Sequence, residues 1–161
     1  MIRPIINDDI NTCVDVIRNS FITVAKDFGF TPENASRFTA FATTEERLSW
    51  QFNHEARLMF VYVIDDNIIG YYSLLLQGNE ECELNNLCVL PQFRHRGIGE
   101  KLLLHSFKTA KELGNKTMNI GIVEENQLLK KWYESFGFVS VKTIKYDFFP
   151  FTCGYMERDL F

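Results

Sequence analysis

The stretch from Glu83 to Leu104 restricts what this chain can fold into more than any other. Leu84, Leu87, Val89 and Leu90 form an apolar run that Pro91 stops, because proline has no N–H for a ladder and biases the preceding residue to extended geometry. A strand therefore ends at Leu90. Gly97 and Gly99 then permit a tight loop, and Leu102, Leu103, Ser106, Phe107, Ala110 and Leu113 recur at helical spacing. A glycine loop opening a helix directs unpaired backbone N–H groups and the positive end of the helix dipole at one point, which suits a phosphate or pyrophosphate. Arg94, His95 and Arg96 add charge there.

Spacing excludes two common phosphate-binding arrangements. Neither G-x-G-x-x-G nor G-x-x-x-x-G-K-[ST] is present, and no acidic residue stands at the ribose-binding distance. Around the central stretch, Ile2 to Ile6 reads as a strand, and Asn7-Asp8-Asp9 supplies capping side chains for a helix with Ile10, Val14, Ile17 and Phe21 on one face. Phe28 to Phe52 is aromatic-rich, with helix starts expected at Thr31-Pro32-Glu33-Asn34 and at Thr43-Thr44-Glu45-Glu46. It reads equally as an acceptor-pocket lining or as a satellite hydrophobic cluster. Arg57 to Ile64, Ile68 to Leu76 and Glu81 to Leu90 form a meander, with Gly70 marking a bulge. Gly114 stops the long helix, and Thr117 to Val123 is a fifth strand, parallel to the fourth because a helix separates them. Asn126 begins a shorter helix with Leu128, Trp132 and Phe136 on one stripe and Leu129 and Tyr133 beside it, ending at Gly137. Phe138 to Tyr146 and Thr152 to Asp159 close the chain as a hairpin.

Over 161 residues, 46% hydrophobic and 14% aromatic content suffices for one core, so a single domain spanning 1–161 is expected. No apolar run reaches bilayer length and no leader is evident at Met1-Ile2-Arg3-Pro4, which predicts a cytoplasmic protein without membrane attachment. Seventeen basic against 21 acidic residues, net charge −4, argues against nucleic-acid binding and favours a cationic partner. Cys13, Cys82, Cys88 and Cys153 lack metal-ligand spacing, so they are read as reduced packing residues and no metal is expected.

Arg94-His95-Arg96-Gly97-Ile98-Gly99 resembles motif A of the GCN5-related N-acetyltransferases (GNAT): Arg or Gln, two residues, Gly, one residue, Gly or Ala. Asn126, Tyr133 and Phe136-Gly137-Phe138 resemble motif B of the same family. The resemblance implies the GNAT fold, an α+β (α/β/α) architecture. Its six- or seven-stranded, mostly antiparallel mixed sheet has a parallel pair, strands four and five, splayed around the cofactor, with helices on both faces. It implies acetyl-coenzyme A as co-substrate, its pantetheine arm paired with the backbone of Leu87, Cys88 and Val89. The pyrophosphate would lie on the N–H groups of His95, Arg96, Gly97, Ile98, Gly99 and Glu100, beside Arg94. Asn126 would hydrogen-bond the cofactor, serve as an ordinary N-cap, or both.

By the same resemblance Tyr133 is the general acid for the departing thiolate; core packing is the alternative. An amine must lose a proton before attacking a thioester, and by resemblance the candidate base is Glu83, eleven residues ahead of Arg94, where the histone-acetylating branch carries a glutamate, with Glu81, on the same strand face, in reserve. A solvated strand carboxylate is the competing account of Glu83. Asn85 stands where another branch carries an acid, and His54, His95 and His105 are too scattered for a triad. The implied function is acetyl transfer to a primary amine of a small-molecule or peptide acceptor, drawn from polyamine, aminoglycoside-type, amino-acid and protein amines. The acidic cluster at Glu80, Glu81 and Glu83 points to a cationic acceptor, and the aromatics to one with an apolar body. A non-catalytic acyl-CoA-binding module of the same fold is the alternative. Oligomeric state stays open, a C₂ homodimer being the common default.

Overall fold

The computed structural model describes residues 1–161. Its strands are β1 (Ile2–Pro4), β2 (Arg57–Ile64), β3 (Asn67–Gly78), β4 (Glu81–Val89), β5 (Thr117–Val123), β6 (Val139–Ile144) and β7 (Cys153–Asp159). Its helices are α1 (Ile10–Phe28), α2 (Thr39–Ala42), α3 (Glu45–His54), α4 (Ile98–Glu112) and α5 (Gln127–Ser135). All seven strands join one sheet in the order β1-β2-β3-β4-β5-β7-β6. Every neighbouring pair is antiparallel except β4 and β5.

That exception follows from connection length. Hairpins join β2 to β3 and β3 to β4, whereas β4 reaches β5 only through α4, and a crossover helix returns the chain in the same direction. Two cores cover the two faces. α4 and α5 bury Leu102, Leu103, Phe107 and Tyr133 against Leu74, Cys82, Leu84, Met118 and Ile120. On the other face α1 and α3 bury Cys13, Ile17 and Leu48 against Met59, Val61, Tyr71 and Cys88.

One irregularity shapes β4. Tyr71 faces Cys88 but Ser73 faces Asn85, so three β4 steps oppose two on β3, and Asn86 occupies the left-handed region at φ 54°. This bulge reverses the alternation. Cys82 and Leu84 face α4, and beyond Asn86 it is Leu87 and Val89 that do so, while Cys88 faces α1.

The expected bulge at Gly70 falls beside it, where the β2–β3 register slips between Tyr62 and Val63. A Cβ on Gly70 would lie 3.0 Å from Leu102 Cδ1 and 3.2 Å from the Cys88 carbonyl oxygen. Gly70→Ala should therefore cost about 1–3 kcal/mol through overpacking, read as a lower urea midpoint with an unchanged slope.

Three sequence expectations shift. β1 stops at Pro4 rather than Ile6, while of the expected capping side chains Asn7-Asp8-Asp9 it is Asp9 that organises the entry to α1: its carboxylate accepts from Ile6 N at 2.8 Å and pairs with Arg3 at 2.7 Å. Thr31 and Asn34 make the reciprocal bonds of a capping box, 3.1 and 2.8 Å, yet only turns follow. The helix starts eight residues later, at Thr39, because Ala35 and Phe38 are drawn into a cluster with Ala25, Phe30 and Phe151. Leu128 is 84% exposed, so the buried stripe of α5 is Leu129, Trp132, Tyr133 and Phe136.

Candidate active site

β4 and β5 pair only from Glu81–Thr117 to Glu83–Asn119. Beyond that point β5 continues against β7, and β4 stays bound to β3, so the facing edges of Leu84–Val89 and Ile120–Val123 separate. A cavity of about 390 Å³ opens between them, lined by Leu87, Ile122, Asn126, Leu129 and Tyr133 among others. A strand edge with free backbone groups inside a cleft is what an amide-rich arm can pair with.

At the far end of β4 lies the glycine loop. Gly97 is left-handed at φ 77° and His95 at 63°, a winding that turns successive N–H groups inward. The backbone N–H groups from His95 through Glu100 find no acceptor within the chain, whereas Arg94 N and Lys101 N on either side do. An orphan row at the start of a fifteen-residue helix fits a pyrophosphate. The Arg94 side chain is turned away from this row. Its guanidinium donates to the Val89 carbonyl at 3.0 Å, to Thr23 Oγ1 at 3.0 Å and to the Ser20 carbonyl at 2.7 Å, tying the loop to α1. Arg96 instead lies over Phe93, 5.4 Å from the ring centroid.

Gly97 and Gly99 are unequal. An alanine at 97 would be held left-handed, costing about 1–2 kcal/mol. At Gly99 a Cβ would sit 3.9 Å from Trp132, in ordinary contact. Gly97→Ala should therefore lower the unfolding free energy by that amount, read as a lower urea midpoint, while Gly99→Ala leaves the midpoint nearly unchanged.

Tyr133 reaches the cavity from the α4–α5 layer. Its ring packs edge-on against Trp132 and Phe138 at 5.0 and 5.4 Å, and the residue is 7% exposed. Burial pushes its phenol well above the ordinary tyrosine range, so it keeps its proton at neutral pH. Asn126 caps α5 by accepting from Leu129 N at 3.3 Å and also lines the cavity.

Glu83 approaches from the opposite layer, at the last residue pair before the strands part. Its carboxylate accepts from Asn85 Nδ2 at 2.5 Å and from Gln77 Nε2 at 3.2 Å. Arg57 holds Asn85 by donating to Oδ1 at 2.8 Å, and is itself neutralised by Glu55 at 2.8 Å. The amide orientation of Asn85 is thereby fixed, since arginine only donates and an ionised carboxylate only accepts. Glu81 lies further along, facing Gly78, and does not line the cavity.

Glu83, Asn85 and Asn86 also border a second, polar cavity of about 240 Å³ beneath α2 and α3, with Arg37, Arg47 and Gln51 on its walls. Aromatic side chains border the first cavity: Phe38 from the Phe28–Phe52 segment, and Phe149 and Phe151 from the connection between β6 and β7. The satellite-cluster reading of Phe28–Phe52 holds, since Phe30, Ala35, Phe38 and Ala40 pack with Ala25 and Phe151, and Phe38 also reaches the cavity wall. Sequence reasoning missed Tyr155, whose hydroxyl lies 2.9 Å from that of Tyr146 at the same cavity, and the bulge at Asn86. Two asparagines in mid-strand were the available signal, because asparagine is depleted in strands and tolerates left-handed backbone.

No group of histidine, cysteine or acidic side chains is arranged to hold a metal. Burial pushes the Cys88 thiol up to about 12, so it stays protonated. No helix is long and apolar enough to cross a membrane.

A family model described as "Acetyltransferase (GNAT) family" matches residues 24–138, which include the glycine loop, Glu83, Asn126 and Tyr133. An uncharacterized N-acetyltransferase in the pepI 3′ region of Lactobacillus delbrueckii subsp. lactis is 25% identical over 137 residues, 80% of this chain and 78% of that protein. The ribosomal protein bS18-alanine N-acetyltransferase of Haemophilus ducreyi is 30% identical over 97 residues, 60% of this chain and 66% of that protein. Among solved structures, the PaiA N-acetyltransferase from Thermoplasma acidophilum in complex with coenzyme A superposes with a TM-score of 0.83 at 22% identity, covering 99% of this chain and 98% of that one, which shows a shared fold. With the family's model matched over most of the chain and its splayed parallel strand pair in place, this protein belongs to the GNAT family of acetyltransferases.

Proposed function

We propose that the protein transfers the acetyl group of acetyl-coenzyme A directly to a primary amine, both substrates meeting in the gap between β4 and β5. The observation that carries this reading is that Tyr133 and Glu83 reach one cavity from opposite layers of the sheet. A donor entering from the α4–α5 side and an acceptor from the α2–α3 side then meet at the point where the strands part.

The edge of Leu87, Cys88 and Val89 pairs with the pantetheine arm, and the N–H row from His95 to Glu100 holds the pyrophosphate, with Arg96 adding charge and Arg94 fixing the loop. Asn126 adds a polar contact from the start of α5. Acetyl-coenzyme A supplies an activated thioester. Glu83 takes the proton from the amine, whose nitrogen attacks the carbonyl carbon. Amides of β4 stabilise the oxyanion, and Tyr133 gives its proton to sulfur as the C–S bond breaks. Four free cysteines suit a reducing cytoplasmic setting, where acetyl-coenzyme A is available.

Thiol release from acetyl-coenzyme A, measured with a panel of amines beside equilibrium binding of coenzyme A, tests the proposal. Amine-dependent release is expected. Saturable binding with no release for any amine would leave only a binding module.

A further inference from the structure

The acceptor side of the site carries a charge pattern opposite to that of the whole chain. The net charge is −4, yet the polar cavity beneath α2 and α3 presents Arg37, Arg47 and Arg57 with Glu83 as its only acid. Arg57 is spent on Glu55 and Asn85. Arg47, on the first turn of α3, pairs with no carboxylate, and Arg37 is held at the rim by its guanidinium lying 4.1 Å over the ring of Phe148. Two cations without counter-charges therefore face a cavity that ends on the proposed base.

The same wall opens the other way onto apolar surface. Arg37, Thr39, Glu83, Asn85 and Asn86 border both cavities, and across them the larger one presents Phe21, Phe38, Phe149 and Phe151. Three chemistries thus converge on Glu83: a proton acceptor, an anion-binding pair of arginines and an aromatic wall. Arginine is suited to carboxylate and phosphonate groups because its planar fork donates in pairs.

We propose that the acceptor is an apolar amino acid or its phosphonate analogue, its amine at Glu83, its anionic group between Arg37 and Arg47, and its side chain on the Phe21–Phe38–Phe149–Phe151 wall. This rests on the acetyl-transfer reading of the site and replaces the cationic acceptor that the charge count suggested. The transfer forms one N–C bond and breaks the C–S bond of acetyl-coenzyme A. The ammonium gives one proton to Glu83 before attack, the sulfur takes one from Tyr133 as the C–S bond breaks, and the second proton shed by the acylated nitrogen restores the phenol, giving an N-acetyl amino acid and free thiol. A polycationic acceptor is disfavoured because both arginines would repel it.

The test compares L-phenylalanine with 2-phenylethylamine, which keeps the ring and amine and lacks only the carboxylate, and with spermidine. Thiol release is followed in wild type, R47Q and R37Q, with coenzyme A binding as the check that each variant is folded. Wild type should favour L-phenylalanine over 2-phenylethylamine in kcat/KM by about tenfold or more, the size of one charge-assisted hydrogen bond. That ratio should shrink several-fold in R47Q and in R37Q through KM for L-phenylalanine; comparing ratios between variants cancels the different basicities of the two amines. A wild-type preference for spermidine or for 2-phenylethylamine, or a ratio untouched by both substitutions, overturns this acceptor assignment and leaves the N-acetyltransferase reading standing. Coenzyme A binding with no acetylation of any amine overturns both.

Discussion

Tyr133→Phe is expected to lower kcat by about a hundredfold or more while leaving coenzyme A affinity and the urea midpoint close to wild type. The ring packs edge-on against Trp132 and Phe138, and phenylalanine preserves those contacts. Only the hydroxyl is lost, and it makes no hydrogen bond inside the protein that would be missed. Burial disfavours any anion here, the phenolate and the departing thiolate alike. A proton that moves as the C–S bond breaks spares the site a bare thiolate, and the same burial that keeps the phenol protonated makes the thiolate more basic. Were Tyr133 merely a packing residue, kcat would not change. Single-turnover thiol release separates the two outcomes.

Glu83→Gln should reduce kcat at neutral pH by roughly a hundredfold, and the deficit should narrow as pH rises toward the acceptor amine's own pKa, above which the amine needs no base. Glutamine keeps an oxygen for Asn85 and Gln77, so the network from Arg57 stays in place and the loss reports on the missing base. A solvated strand carboxylate with no chemical role would give equal rates at every pH. The pH profile of kcat for wild type and variant, taken on one acceptor, decides between them.

Much of the architecture was legible because it rests on local rules. Pro91 ends β4, Gly97 turns the chain into α4, Gly114 ends it and Asn126 caps α5, each through a local requirement that only a few residue types satisfy. The parallel β4–β5 pair followed from the helix between them. The failures have a shared cause, which is tertiary packing overriding local signals. The capping-box bonds of Thr31 and Asn34 form without a helix because Ala35 and Phe38 are pulled into an aromatic cluster with Phe30 and Phe151.

The candidate site divides in the same way. The N–H row at His95–Glu100 was readable, since glycine spacing and a helix start define it. The approach of Arg37 and Arg47 to Glu83 was not, because about forty residues of chain separate them and only α2 and α3 folding over β4 brings them together. Arg94 shows a subtler gap. Its position in the motif was legible, but that its guanidinium faces Ser20, Thr23 and Val89 depends on where α1 packs.

The gap between β4 and β5 as the cofactor's seat is the claim on which everything else depends. Hydrogen exchange on the full chain, with and without saturating acetyl-coenzyme A, addresses it directly. Slowed exchange is expected, concentrated at Leu87–Val89 and His95–Glu100, the free strand edge and the N–H row. Saturated binding with exchange at both stretches unchanged would contradict it.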